Sequence, residues 1–291
     1  MGNALVFPGQ GSQAPGMGKK VFETFAPSRG FLLEANDILG FNLEELIFGN
    51  DAEALKPTEI AQPAIYTVSA MYLELFRSHA IPFDYVAGHS LGEYSALYAA
   101  GVFSFAEGLS LVRKRGQLMS VSTEKTGGMA AIIGLPLERI EEICTNYSEV
   151  WLANINTQNQ FVISGSLEQV RSAMSLSKEF GAKIAIELNV STAFHTPFMN
   201  KAEEELGKEI NRLTFMAPSV PVFSNYTGLP SRDIVKIKEN LIHQLTGQVR
   251  WAQTMQKMDS SGVENVYEIG YGTVLKGMLK TFPNLKPVSV L

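Results

Sequence analysis

The chain has 291 residues, 45% of them hydrophobic and only 18% charged, with a formal net charge of -5. That is enough apolar material for a large core in one or two domains. It is too little basic charge for a nucleic-acid binder, which needs a cationic patch against phosphates. A single cysteine, Cys144, excludes an internal disulfide framework. The four histidines (His79, His89, His195 and His243) include no closely spaced ligand pair, so no metal site is expected. The first residues, Met1–Gln13, lack the basic and long apolar segments of a signal peptide. The apolar stretch Met129–Leu137 is too short to span a membrane. No membrane association and a cytoplasmic location are expected.

Leu5–Phe7 reads as a short buried strand. Pro8–Gly18, with four glycines and two prolines, reads as a loop of close backbone approach before a helix from Lys19. Apolar residues at helical spacing predict a helix over Glu59–Arg77. Asp84–Ala87 reads as a strand end, with helices over Leu91–Ala100 and Phe105–Met119. From Thr126 the pattern becomes strand (Met129–Gly134), helix (Leu137–Cys144), strand (Val150–Asn156), strand (Gln160–Ser164), helix (Leu167–Phe180), strand (Ala182–Leu188). That order is ferredoxin-like, and it marks residues 126–190 as a small inserted domain. Residues 1–125 and 191–291 then form the large domain, with helices over Phe198–Ile210, Ile234–Leu245 and Trp251–Met258. Strands Val220–Ser224 and Val263–Ile269 complete an α/β sheet covered on both faces.

The strongest local feature is Gly88-His89-Ser90-Leu91-Gly92 between the Asp84–Ala87 strand and the following helix. This is the context of a nucleophile elbow, a sharp turn that projects a serine beside free N–H groups of a helix start. A serine alcohol needs a base. His89 is adjacent in sequence and should diverge from Ser90 at such a turn. His195 lies in a strand-to-helix loop, where catalytic groups collect, whereas His79 and His243 sit on amphipathic helices and read as structural. No aspartate lies between Ser90 and His195, and no glutamate there has an obvious strand-end position. The expectation is a Ser–His pair oriented by a neutral group or backbone carbonyl rather than a carboxylate triad.

These motifs, with others spread nearly end to end, resemble the malonyl-CoA:acyl carrier protein transacylases of fatty acid and polyketide synthesis. The resemblance rests on Phe7-Pro8-Gly9-Gln10-Gly11-Ser12-Gln13, Gln62-Pro63-Ala64, Gly88-His89-Ser90-Leu91-Gly92-Glu93-Tyr94-Ser95-Ala96, Arg115-Gly116, Ala193-Phe194-His195 and Gly270-Tyr271-Gly272-Thr273-Val274-Leu275. It implies an α/β-hydrolase-like large domain with an inserted ferredoxin-like small domain. It implies a ping-pong malonyl transfer through Ser90, with His195 as base and the backbone N–H groups of Gln10 and Leu91 as oxyanion hole. Malonyl-CoA would be the substrate, and the acceptor thiol the phosphopantetheine of an acyl carrier protein. No resident cofactor is implied, and the chain is expected to be a monomer.

By the same resemblance Arg115, rather than Arg113, would hold the malonyl carboxylate in a planar pair. Gln62 and His89 would line the substrate site, and Phe194 would crowd out a 2-methyl branch, worth about 1–3 kcal/mol. The backbone carbonyl supporting His195 is expected from Gly247 or Gln248. Lys19, Lys20, Lys114, Lys125 and Lys183 are candidates for a carrier docking patch. Two rivals remain: a thioesterase-like hydrolase using the same pair, and an idle carrier-binding domain.

Overall fold

The computed structural model describes residues 2–121, 126–190 and 192–289, so Lys125 and Ser191 lie outside the described residues. Ten strands are present: β1 Gly2–Phe7, β2 Tyr85–Gly88, β3 Gly127–Ile133, β4 Val150–Ile155, β5 Gln160–Ser166, β6 Ile184–Glu187, β7 Val222–Phe223, β8 Pro230–Ser231, β9 Val263–Glu268 and β10 Lys286–Val288. They form a six-stranded sheet in the order β10-β9-β1-β2-β7-β8 and a four-stranded sheet in the order β4-β5-β3-β6. The large sheet is parallel except where β8 turns back on β7. The small sheet is antiparallel, with the ferredoxin-like strand order that the alternating pattern after Thr126 predicts.

β1 shows why the large sheet needs cover on both sides. Ala4, Leu5, Val6 and Phe7 are all fully buried. Leu5 and Phe7 face one core, with Tyr66, Val68 and Met71 of the helix Thr58–Ser78. Ala4 and Val6 face the other, with Trp251 and Met255 of the helix Trp251–Ser260. Successive residues of a strand point to opposite faces, so a run without polar residues can be satisfied only between two layers. The second core continues into the small sheet through Ala130, Ile132 and Phe161.

Three further helices, Arg29–Leu39, Leu43–Phe48 and Val274–Leu279, and the strands β8 and β10 are additions to the sequence reading. Pro63 lies inside the helix Thr58–Ser78, where its missing N–H leaves the Glu59 carbonyl without its helical donor. Arg113 donates to that carbonyl and lies over the Phe41 ring, which accounts for this arginine structurally. No helix among the described residues is long and apolar enough to cross a membrane.

Candidate active site

Ser90 sits between β2 and the helix Gly92–Ala99 with φ at 51°. That left-handed conformation costs a non-glycine residue about 1–2 kcal/mol. It is held by Asn225, whose Oδ1 accepts the Ser90 N–H at 2.6 Å and whose Nδ2 donates to the Gly88 carbonyl at 2.6 Å. The turn is tight enough that a Cβ on Gly88 would lie 1.8 Å from the Gly92 carbonyl carbon. A Cβ on Gly92 would lie 2.1 Å from the Phe7 carbonyl oxygen. Both glycines are therefore demanded by the elbow.

Ser90 Oγ lies 2.8 Å from His195 Nε2, although 105 residues separate them. His195 Nδ1 lies 2.8 Å from the main-chain carbonyl of Gln244. A carbonyl can only accept, so the proton is on Nδ1 and the Nε2 lone pair faces the serine hydroxyl. Burial and then the Arg115 charge push the imidazole down to about 3, against its hydrogen bonds to the backbone of Gln244 and Gly247. The ring is therefore a neutral proton acceptor at ordinary pH.

The carbonyl at hydrogen-bond distance from Nδ1 is that of Gln244, where the sequence points to Gly247 or Gln248; of those two, the Gly247 backbone also contributes a hydrogen bond to the ring. The helix Ile234–His243 ends just before Gln244. The chain then turns, so the Gln244 carbonyl has no residue of its own helix to accept from and points at His195 instead. Gly247 serves space: a Cβ there would meet the Tyr226 ring at 2.5 Å and the His243 carbonyl at 2.7 Å. Two residues on, Val249 exchanges backbone hydrogen bonds with Ala153 and Ile155 of β4.

Arg115 is 1% exposed and lies over the Tyr94 ring. Its Nη2 donates to Ser90 Oγ at 3.1 Å and to Gln244 Oε1 at 3.1 Å, while its buried Nε has no partner among the described residues. Burial holds its pKa below the usual arginine value. Gln62 is fully buried behind Met119, with its Nε2 3.4 Å from the Met119 sulfur and its Oε1 unpartnered.

A cavity of about 550 Å³ opens above Ser90, and Gln10, His89, Arg115, Phe194 and His195 line it. The small sheet closes its other side with Met129, Ala131, Asn154, Asn156 and Val162. His89 does diverge from Ser90: its Nε2 donates to Asn156 Oδ1 at 2.9 Å and its ring packs edge-on against Trp251. Burial lowers its pKa. The N–H groups of Gln10 and Leu91 have no acceptor among the described residues, and the Gln10 side chain reaches Thr58 at 3.3 Å.

Lys19, Lys20, Lys114 and Lys183 are exposed, whereas Lys56, which the sequence reading passed over, borders the cavity. His79 bonds the Leu75 carbonyl and His243 bonds Glu203, both away from Ser90. Among the described residues no group of three or more metal-ligating side chains is present. Asn225, Gln244 and Glu93 were not singled out from the sequence. Only Glu93 carried a signal, as the acid of a Ser-x-x-Glu helix start.

An acyl transferase domain family matches residues 4–288. A malonyl CoA-acyl carrier protein transacylase of Bacillus subtilis strain 168 is 43% identical over 95% of this chain and 89% of its own length. A polyketide biosynthesis malonyl CoA-acyl carrier protein transacylase of the same strain is 40% identical over 94% of each chain. The crystal structure of an acyl-carrier-protein S-malonyltransferase from Bartonella henselae superposes with a TM-score of 0.96 at 38% identity, covering 100% of this chain and 95% of that one. With a serine elbow, a facing imidazole and a buried arginine on this fold, the chain belongs to the malonyl-CoA:acyl carrier protein transacylase family.

Proposed function

We propose that the chain transfers malonyl from malonyl-CoA to the phosphopantetheine thiol of an acyl carrier protein, through an ester on Ser90. The observation that carries the assignment is Arg115: a fully buried guanidinium bonded to the serine oxygen and left with an unpartnered Nε. A buried cation with an unmade hydrogen bond is costly, and an acyl group ending in a carboxylate would supply both an acceptor and further negative charge. Gln62 does not itself line the cavity: it contacts Met119, which does, through Nε2, and its Oε1 is unpartnered among the described residues.

In this reading His195 Nε2 takes the Ser90 proton as Oγ attacks the thioester carbon. The Gln10 and Leu91 N–H groups receive the developing oxyanion. The carbon–sulfur bond breaks, and the coenzyme A sulfur leaves with the proton returned by His195. The carrier thiol then gives its proton to His195 and attacks the ester, which regenerates Ser90. Phe194 narrows the space beside the acyl carbon and favours malonyl over methylmalonyl. His89, bonded to Asn156, forms part of the wall that the acyl group meets. Residues 126–190 act as a small lobe roofing the site, and 1–125 with 191–291 as the lobe that carries the chemistry. The chain is read as a cytoplasmic monomer.

The test is intact-mass spectrometry of the protein with malonyl-CoA, then with a phosphopantetheinylated carrier protein. Malonyl on Ser90 that moves to the carrier is expected. Free malonate with an unloaded carrier would make the chain a hydrolase instead.

A further inference from the structure

Glu93 is a buried carboxylate that the transfer reaction leaves unused. It is 2% exposed on the first turn of the helix Gly92–Ala99. Its Oε2 accepts from the Asn225 N–H at 3.0 Å and from Gln244 Nε2 at 2.7 Å. Each partner reaches the reacting groups. Asn225 holds the Ser90 N–H. Gln244 touches three of them at once. Its Nε2 also donates to the Ser90 carbonyl at 3.0 Å, its Oε1 accepts from Arg115, and its main-chain carbonyl accepts from His195.

The two ends of a side-chain amide have nearly the same shape, so its hydrogen-bond partners decide which end is oxygen. At Gln244 the amino end meets two acceptors, Ser90 O and Glu93 Oε2, which leaves the oxygen to face the guanidinium. Without the Glu93 acceptor the amide loses the shorter of the two bonds on its amino end, and only the Ser90 carbonyl and the Arg115 N–H oppose its turning over. Its NH2 would then point at the Arg115 N–H groups, donor against donor, and displace them.

We propose that Glu93 is a positioning residue whose carboxylate oxygen fixes the Gln244 amide, and through it the Arg115 guanidinium, so that the site prefers acyl groups ending in a carboxylate. This rests on the transferase reading above. It assigns to Glu93 a share of substrate selectivity although Glu93 itself stays out of the cavity.

The experiment is quenched-flow measurement of Ser90 acylation by malonyl-CoA and by acetyl-CoA, read as intact mass. It uses the full chain as wild type and with Glu93→Met, Glu93→Asp or Glu93→Gln. Methionine keeps the length and removes the acceptor, aspartate withdraws it by one methylene, and glutamine can return an oxygen to the Oε2 position. In Glu93→Met, kcat/KM for malonyl is expected to fall about tenfold or more relative to acetyl. Glu93→Asp should lie between, and Glu93→Gln should recover most of the preference. An unchanged malonyl-to-acetyl ratio in Glu93→Met, or an equal loss of both reactions, overturns the proposal. If Glu93→Met does not fold, equal ratios in Glu93→Asp and Glu93→Gln overturn it, and a lower ratio in Glu93→Asp supports it. A wild type that fails to load malonyl onto a holo carrier protein sinks the transferase reading and this role with it. A wild type that loads the carrier while the variant ratios stay flat sinks the Glu93 role alone.

Discussion

Replacing Glu93 by glutamine should change how stability depends on pH. Burial pushes the Glu93 carboxyl from 4.5 up to about 7, and the hydrogen bonds from Asn225 and Gln244 and the Arg115 charge only partly oppose this. The folded chain therefore holds that proton more tightly than the unfolded chain. The contribution to stability is complete below pH 4.5 and is lost as pH rises from 4.5 through 7. At about 1.4 kcal/mol per pH unit the full loss is about 3 kcal/mol. Glutamine cannot titrate, so the stability of wild type minus that of Glu93→Gln should fall by about 3 kcal/mol between pH 4.5 and pH 8. His195 works in the opposite sense: its depressed pKa gives stability present above 6.5 and lost as pH falls toward 3. That contribution is common to both proteins and cancels in the difference. Urea unfolding of the two proteins at closely spaced pH values measures it. A difference that stays constant across the window would refute the reasoning. One that grows with pH would mean that Arg115 and the two N–H donors outweigh burial.

Arg115→Met should lower malonyl acylation about 100-fold, from loss of a charge-assisted pair, and acetyl acylation much less. Coenzyme A release measures both, and an equal loss would remove the carboxylate-binding role. Because burial holds His195 near 3, the imidazole stays in its accepting form as pH falls, and acetyl acylation, which does not call on the Glu93–Gln244–Arg115 chain, should be flat from pH 8 to 5.5. A pH–rate profile with a limb at His195's ordinary 6.5 would contradict that. Gly88→Ala forces a Cβ to within 1.8 Å of the Gly92 backbone. It should cost about 3 kcal/mol or more, seen as a large drop in Tm or as insoluble protein.

What the sequence could reveal divides by the reach of each interaction. Ser90 and its glycines are legible because the turn that exposes them is built from five consecutive residues. Arg115 stands out from Arg113 only by resemblance, since both lie on the helix Phe105–Val121. In the structure, the Pro63-freed carbonyl of Glu59 accounts for Arg113. The alternating pattern after Thr126 gives the small sheet directly, because strand periodicity and turn residues are local properties. Gln244 is different. It reaches Ser90 across 154 residues and Glu93 across 151, and it serves His195 through a carbonyl that every residue possesses. Backbone groups carry no identity in a sequence, so the register of Gln244 against Gly247 and Gln248 could be settled only in three dimensions. The helices Arg29–Leu39 and Leu43–Phe48 were passed over although Gly40 ends the first in a left-handed conformation, a local stop signal that was present to be read.

The position of β1 bears on how this chain can be made in a cell. β1 is synthesised before its neighbours yet is an inner strand of the large sheet, between β2 and β9, with Gly2 registered against Val263. Until β9 leaves the ribosome, Ala4–Phe7 has one bare flank of unpaired N–H and C=O groups, on a strand with no polar side chain from Ala4 to Phe7. Such an edge is a template for pairing with another nascent chain. Ser90 and His195 both precede Val263, so a truncation before β9 keeps every reacting side chain. It should nonetheless fail by precipitating rather than by losing catalysis, and slow translation of the stretch up to β9 should lengthen the time in which a chaperone is needed.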